Sequence, residues 1–207
     1  MKSQQEMMQT QLQTLLQNAH TTVNNNTTNN FNLNVFLTET CKDAMLWSEF
    51  MSIFTVEDDD IPRLQTIKKK ELIADVFIRN IQSIEYSKRP VYCLDAHRAT
   101  TPGKMVFRDM QTAEDGKTKV PKWNSTTPAS VYLKEISKAI SVHSKAYGDK
   151  LLEATSENDD NDTNMRRFET FIKNNQVSDK DYDKLLTQNG KVPKALSIQR
   201  HKERINQ

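Results

Sequence analysis

Cys93, Asp95 and His97 stand at alternate positions of KRPVYCLDAHR (88–98), and a strand there would project all three to one face. A thiolate, a carboxylate and an imidazole so arranged are the raw material of a zinc site or an activated thiol. The remaining ligands would have to come from elsewhere, Cys41 or His143. A buried thiol with an exposed histidine at a hairpin end satisfies the same residues with fewer demands, so no metal and no other cofactor is assigned. His143, on an apolar helical face, reads as a hydrogen-bonded core residue. Glu57, Asp58, Asp59 and Asp60 crowd enough oxygen for a hard cation, but not at the spacing of a calcium loop, and read as a solvated turn between helices. The chain has four glycines, none spaced as in a phosphate-binding loop, and no nucleophile elbow. These patterns predict no enzyme and no catalytic residue.

The remaining chemistry is electrostatic. From Arg63 to Asp109 there are ten Lys or Arg against five Asp or Glu, a local balance of +5, whereas the whole chain carries only +2 with a pI near 8.4. That excludes a protein that coats nucleic acid through its net charge, but leaves a local patch. Two helices followed by a hairpin in this region match the order of a winged helix. Lys68, Lys69, Lys70, Arg98 and Lys104 would then be the contacts to the phosphates of duplex DNA. Three lysines at a helix start, where the helix dipole disfavours them, point to an anionic partner, although a solvated face reads them too; against the DNA reading, the helix is apolar on much of its surface and has few side chains suited to reading bases.

These residues need elements to hold them. In QQEMMQTQLQTLLQNAHTTV (4–23), Met8, Leu12, Leu15, Ala19 and Thr22 alternate at spacings of four and three, the seam of a short coiled coil. So short a helix needs partner helices to persist in water. An asparagine-rich run then begins at Asn24, where Asn and Thr both disfavour helix. In NFNLNVFL (30–37) the period becomes two: Phe31, Leu33, Val35 and Leu37 fall on one face and Asn30, Asn32 and Asn34 on the other, as in a strand. Brought into register by the coil, like asparagines of several copies would stack as amide ladders. A polar, flexible linker reads the same composition. Residues 1–37 are thus a predicted oligomerisation stem, and so short a seam leaves dimer and trimer both open.

A mainly α body with one small β-hairpin, an α+β arrangement, is expected over 38–152. A helix starts at Thr40, with Asp43 as capping partner and Cys41, Ala44, Trp47, Met51 and Phe54 on its apolar face. A second runs from about Thr66 to Tyr86, burying Ile73, Val76, Phe77, Ile81 and Ile84. KRPVYCLD (88–95) and KMVFRD (104–109) form the hairpin, and Trp123 follows in a loop. Thr127 and Pro128 open a helix to about Leu152, with Val131, Ile136, Ala139, Ile140, His143, Tyr147 and Leu151 along its stripe. The acidic run 153–164 reads as a linker. Beyond it, 165–207 forms a helical segment with a basic tail, its second helix opened by Ser178 and Asp181 and stopped at Gly190.

FNLNVFLTETCKDAM (31–45) and KRPVYCLDAHR (88–98), in that order, resemble an uncharacterised coiled-coil and Asn-rich protein family of giant nucleocytoplasmic large DNA viruses, the relatives of mimiviruses and phycodnaviruses. That family's pattern is FNLNxFLNExCKDA, then RPIHCxDxKR, a strand and a tryptophan, often preceded by a zinc finger. The resemblance spans about residues 10–150. Thr38 stands here for the pattern's asparagine and Tyr92 for its histidine, and the finger is absent. The resemblance implies viral origin and shared architecture, and carries no activity. The two distant cysteines, and the lack of an apolar amino-terminal segment, predict a reduced protein of the host cytoplasm (virus factory) or virion, neither secreted nor inserted in a membrane. The sequons at Asn26, Asn124 and Asn161 are then chance matches.

Together these features predict a non-enzymatic, homo-oligomeric structural, assembly or adaptor protein. It would partner with itself and with other virion or virus-factory proteins. Binding duplex DNA through 63–108 is the alternative.

Overall fold

The computed structural model describes residues 33–94, 104–157, 161–186 and 191–197, the chain dividing into two compact units, Met1–Thr38 and Glu39–Gln207. In the first, Leu33–Val35 is a helical turn that continues as a π-helical turn over Phe36–Thr40, pinned by the Thr38 hydroxyl donating to the Asn34 carbonyl at 2.7 Å. The period-two strand expected over 30–37 is therefore corrected to helix wherever it is described. Neighbouring Phe36 and Leu37 are buried while Val35 is 42% exposed, a pattern that a strand alternating about Val35 does not produce.

In the second unit α1 is Trp47–Ile53 and α2 is Lys69–Gln82, with a 3-10 turn at Ile61–Gln65 between them. The helix expected from Thr40 begins at Trp47 instead. Its actual amino-terminal cap is Leu46, whose N–H is taken by the Glu49 carboxylate at 2.6 Å, so Glu49 rather than Asp43 supplies the capping carboxylate. In α2 the expected stripe holds: Ile73, Val76, Phe77 and Ile81 are buried, and Ile84, just past the helix, packs against them.

After a 3-10 turn at Tyr86–Lys88 comes an antiparallel sheet ordered β1-β2-β3, formed by Val91–Cys93, Met105–Thr112 and Lys119–Asn124. Register pairs Tyr92 with Val106, and Arg108 with Trp123. The expected hairpin is thus two strands of a three-stranded sheet, and Trp123 lies in a strand, not a loop. Pro121 and the exposed Lys119 and Lys122 belong to the edge strand β3, the place where proline is tolerated and where lysine discourages edge-to-edge pairing. Gly116, at φ 69°, makes the β2–β3 turn, where Asp115 accepts the N–H groups of Lys117 and Thr118.

The long helix α3 is Ala129–Glu157, followed by α4 (Asn161–Asn174), α5 (Asp179–Leu186) and the short α6 (Lys191–Ala195). Both ends of the supposed linker 153–164 are helical, and α4 contributes Phe171 to the same core as α2 and β2, so no domain edge falls there. The α3 stripe is also revised, for Val131 and His143 are exposed. The buried line instead runs Leu133, Ile136, Ser137, Ile140, Ser144, Gly148, and its small residues let α4 come close. A Cβ on Gly148 would meet Phe171 Cε1 at 3.0 Å. Gly148→Val is therefore expected to destabilise the fold by about 1–3 kcal/mol, despite its better helix propensity. Urea unfolding measures this, and an unchanged midpoint would mean that the α3–α4 seam has slack.

The α5 start matches expectation in that Asp181 accepts both the N–H and the hydroxyl of Ser178, at 3.0 and 2.7 Å; Gly190 lies outside the described residues. At the carboxy-terminal end Val192 and Leu196 are buried, and the Leu196 carbonyl accepts the Cys93 N–H at 3.0 Å. Ser197 thereby bridges the outer edge of β1 in parallel.

Candidate functional site

Of the stem residues, Met8, Leu12, Leu15, Ala19, Asn30, Phe31 and Asn32 lie outside the described residues. Leu33, Asn34 and Val35 share one helical turn, with Leu33 half-buried and Asn34 and Val35 exposed. An amide ladder needs extended backbone, so Asn34 is not placed for one.

Cys93 is buried in β1, Asp95 and His97 lie outside the described residues, and His143 faces outward from α3. Cys41 is fully buried and donates its S–H to Tyr92 Oη at 3.2 Å, while Tyr92 donates to the Tyr86 carbonyl. Burial raises the Cys41 pKa, against smaller opposing effects of the Tyr92 hydrogen bond and the Arg108 charge. A thiol held protonated is a poor nucleophile and a poor metal ligand. Its role is to fasten the chain before α1 onto the sheet, an attachment that Arg108 reinforces by donating Nη1–H to the Cys41 carbonyl at 2.7 Å. Burial likewise raises the Tyr86 and Tyr92 hydroxyls well above the ordinary phenol value. Among the described residues no group of three or more His, Cys, Asp or Glu could hold a metal ion.

The lysine triplet does not act as a unit. Lys68 caps α2 and is exposed. Lys69 is 5% exposed, its amine donating to Ser141 Oγ at 2.7 Å, and burial lowers its pKa. Lys70 pairs with Asp181 at 3.5 Å. Only Lys68 thus keeps a solvated charge free of these partners, Arg98 lies outside the described residues, and a flat phosphate-facing row of three is absent. Lys104 is exposed elsewhere, at a cleft of about 250 Å³ formed where α3 begins, and lined also by Ser125, Thr126, Thr127, Asp183 and Leu186.

That cleft combines a lysine, an aspartate, hydroxyls and the start of a long helix. Part of its polar rim is already engaged by the chain, because Asn124 Oδ1 accepts the N–H groups of Thr126 and Thr127 at 2.8 and 3.2 Å while its amide donates to Thr127 Oγ1 at 2.6 Å. Helix-start N–H groups free to hold an anion are what such a site requires, and two of the nearest are engaged by the chain itself. No protein family, curated protein or solved structure matches the chain. What the sequence did not signal is the paired state of the charges: Asp60, read as a member of a solvated acidic turn, is 1% exposed and locked to Arg79 by hydrogen bonds of 2.8 and 2.6 Å. Its partner lies 19 residues away, a separation that no local pattern reveals.

Proposed function

We propose that the chain is a non-enzymatic, self-associating assembly or adaptor protein of a large DNA virus, acting in the cytoplasmic virus factory or the virion. The observation that carries this reading is the sequence spacing of Met8, Leu12, Leu15 and Ala19 ahead of an asparagine-rich run, a pattern whose helix would be too short to persist without partner helices. The body from Glu39 onward has its own core, which suits it to be cargo or adaptor on such a stem. No described helix is long and apolar enough to cross a membrane. The competing reading, a DNA-binding accessory protein, draws its support from the +5 balance over 63–109 and from the exposed Lys68 and Lys104.

The deciding experiment is the mass of the full-length chain by light scattering, beside Leu12→Glu/Leu15→Glu, with and without duplex DNA at low and high salt. We expect a multimer that the double substitution converts towards monomer, and a mass that DNA leaves unchanged. A substituted chain with the wild-type mass defeats the stem. A DNA-dependent shift that disappears in salt transfers the function to phosphate binding. The substitution Lys68→Glu is the useful probe of that alternative, since reversing Lys69 as well would bury an unpaired carboxylate and unfold the region.

A further inference from the structure

The outward face of α4 carries a pattern of its own. Phe171 and the half-buried Asn164, Phe168 and Asn174 turn towards the body, whereas Asp162, Met165, Arg166, Glu169, Ile172 and Lys173 are all exposed. These fall at spacings of three and four and so share one side of the helix. Met165 is 39% and Ile172 43% exposed, one heptad apart. Along the same face the charges read Asp162 negative, Arg166 positive, Glu169 negative, Lys173 positive. Among the described residues no ion pair engages any of the four.

Read backwards, the sign order is inverted. An identical helix lying antiparallel, with the two-fold axis between Arg167 and Phe168, therefore sets Asp162 against the partner's Lys173 and Arg166 against the partner's Glu169, each pair occurring twice. Met165 and the partner's Ile172 are then offset by two residues from direct opposition, roughly 3 Å along the axis, within reach of each other. A parallel pairing in register would set every charge against its own kind.

We propose that this face is a second self-association site, on which α4 of another copy docks antiparallel through a Met165–Ile172 apolar stripe flanked by reciprocal ion pairs. Isologous pairing about a two-fold axis is the commonest closed assembly, and one copy's surface suffices to build it. A helix of 14 residues is about 21 Å long, so a single such contact falls below the roughly 1,200 Å² of a stable interface. The contact is weak alone and gains when the stem raises the local concentration of bodies to the order of millimolar. It stands on the α4 residues and does not require the stem reading to hold.

To separate the two, the association is followed by sedimentation up to about 1 mM in full-length protein already carrying Leu12→Glu/Leu15→Glu. We expect concentration-dependent dimers that weaken about tenfold with Arg166→Glu or with Glu169→Arg, and recover when both are combined. Mixed Arg166→Cys and Glu169→Cys chains, whose substituted positions face each other across the two-fold axis, should give a disulfide-linked dimer on mild oxidation, while Arg167→Cys, on the other side of α4, should not. All three positions are exposed, so folding is not at stake. A stem-broken chain that stays monomeric throughout overturns the proposal, as does a double reversal no better than either single one, or cross-linking of Arg167→Cys equal to that of the mixed Arg166→Cys and Glu169→Cys chains. A wild-type chain that associates no better than the stem-broken one instead overturns the stem reading and leaves this one intact.

Discussion

Trp47→Ala is expected to lower the stability of the body by about 3–5 kcal/mol, the range for removing a large aromatic from a packed core. Trp47 is 3% exposed and meets four other rings: Phe50 at 5.1 Å, Phe77 at 6.1 Å, Phe107 at 5.3 Å and Tyr132 at 5.0 Å between centroids. These belong to α1, α2, β2 and α3, so one side chain joins helices to sheet, and its loss leaves a cavity that no single element can collapse to fill. Phe107 and Tyr132 stack at 3.8 Å on one side of it. The indole N–H donates to Glu135 Oε2 at 2.6 Å. Because Glu135 is exposed, water replaces that bond cheaply, and Trp47→Phe should cost far less than Trp47→Ala, on the order of 1–2 kcal/mol. Urea unfolding of both variants gives the comparison. Equal losses for Phe and Ala would assign the stability to the N–H bond and not to the ring cluster.

The apolar rhythm made α2 legible, since four buried residues at helical spacing, Ile73, Val76, Phe77 and Ile81, have no competing period. Its first turn was not legible, because nothing in KKK says that the middle lysine turns inward to Ser141. For α3 an apolar-stripe reading selects Val131 and His143 and passes over Ser137, Ser144 and Gly148, which are buried. At Gly148 the missing side chain leaves room for a neighbour, and that neighbour, Phe171, is only found by folding the chain back. The third strand, KVPKWN, looks like a loop when judged by its proline and lysines, though those are what an edge strand carries. In NFNLNVFL the alternation is real but spans too few residues to outweigh adjacent Phe36 and Leu37, both of which are buried. Of the candidate surfaces, the alternating charges of α4 were present in the sequence all along; which of its faces points outward was not.

Asp60→Asn is expected to cost about 3 kcal/mol near neutral pH, at the lower end of the range for removing one member of a buried ion pair. The side chain keeps its shape and loses its charge, leaving Arg79 without its bidentate partner. Arg79 is 35% exposed and also pairs with Glu57 at 3.2 Å, so partial hydration limits the loss. Burial by itself would raise the Asp60 pKa, but the Arg79 hydrogen bonds, the Glu57 N–H at 2.8 Å and the charges of Arg79 and Arg63 outweigh it, and the net shift is downward. A carboxylate whose folded pKa lies below its unfolded value adds stability that is fully present above the unfolded pKa and is lost as pH falls through the folded one. The wild-type chain should therefore lose this contribution on acidification, whereas Asp60→Asn has no such contribution to lose. Unfolding free energies at about pH 7 and about pH 3 should show the gap between the two proteins narrowing towards the acid side. A gap of constant size would trace the effect to the amide's misfit with the Glu57 N–H and Arg79, and would free the ion pair from any part in holding the Ile61–Gln65 turn against α2.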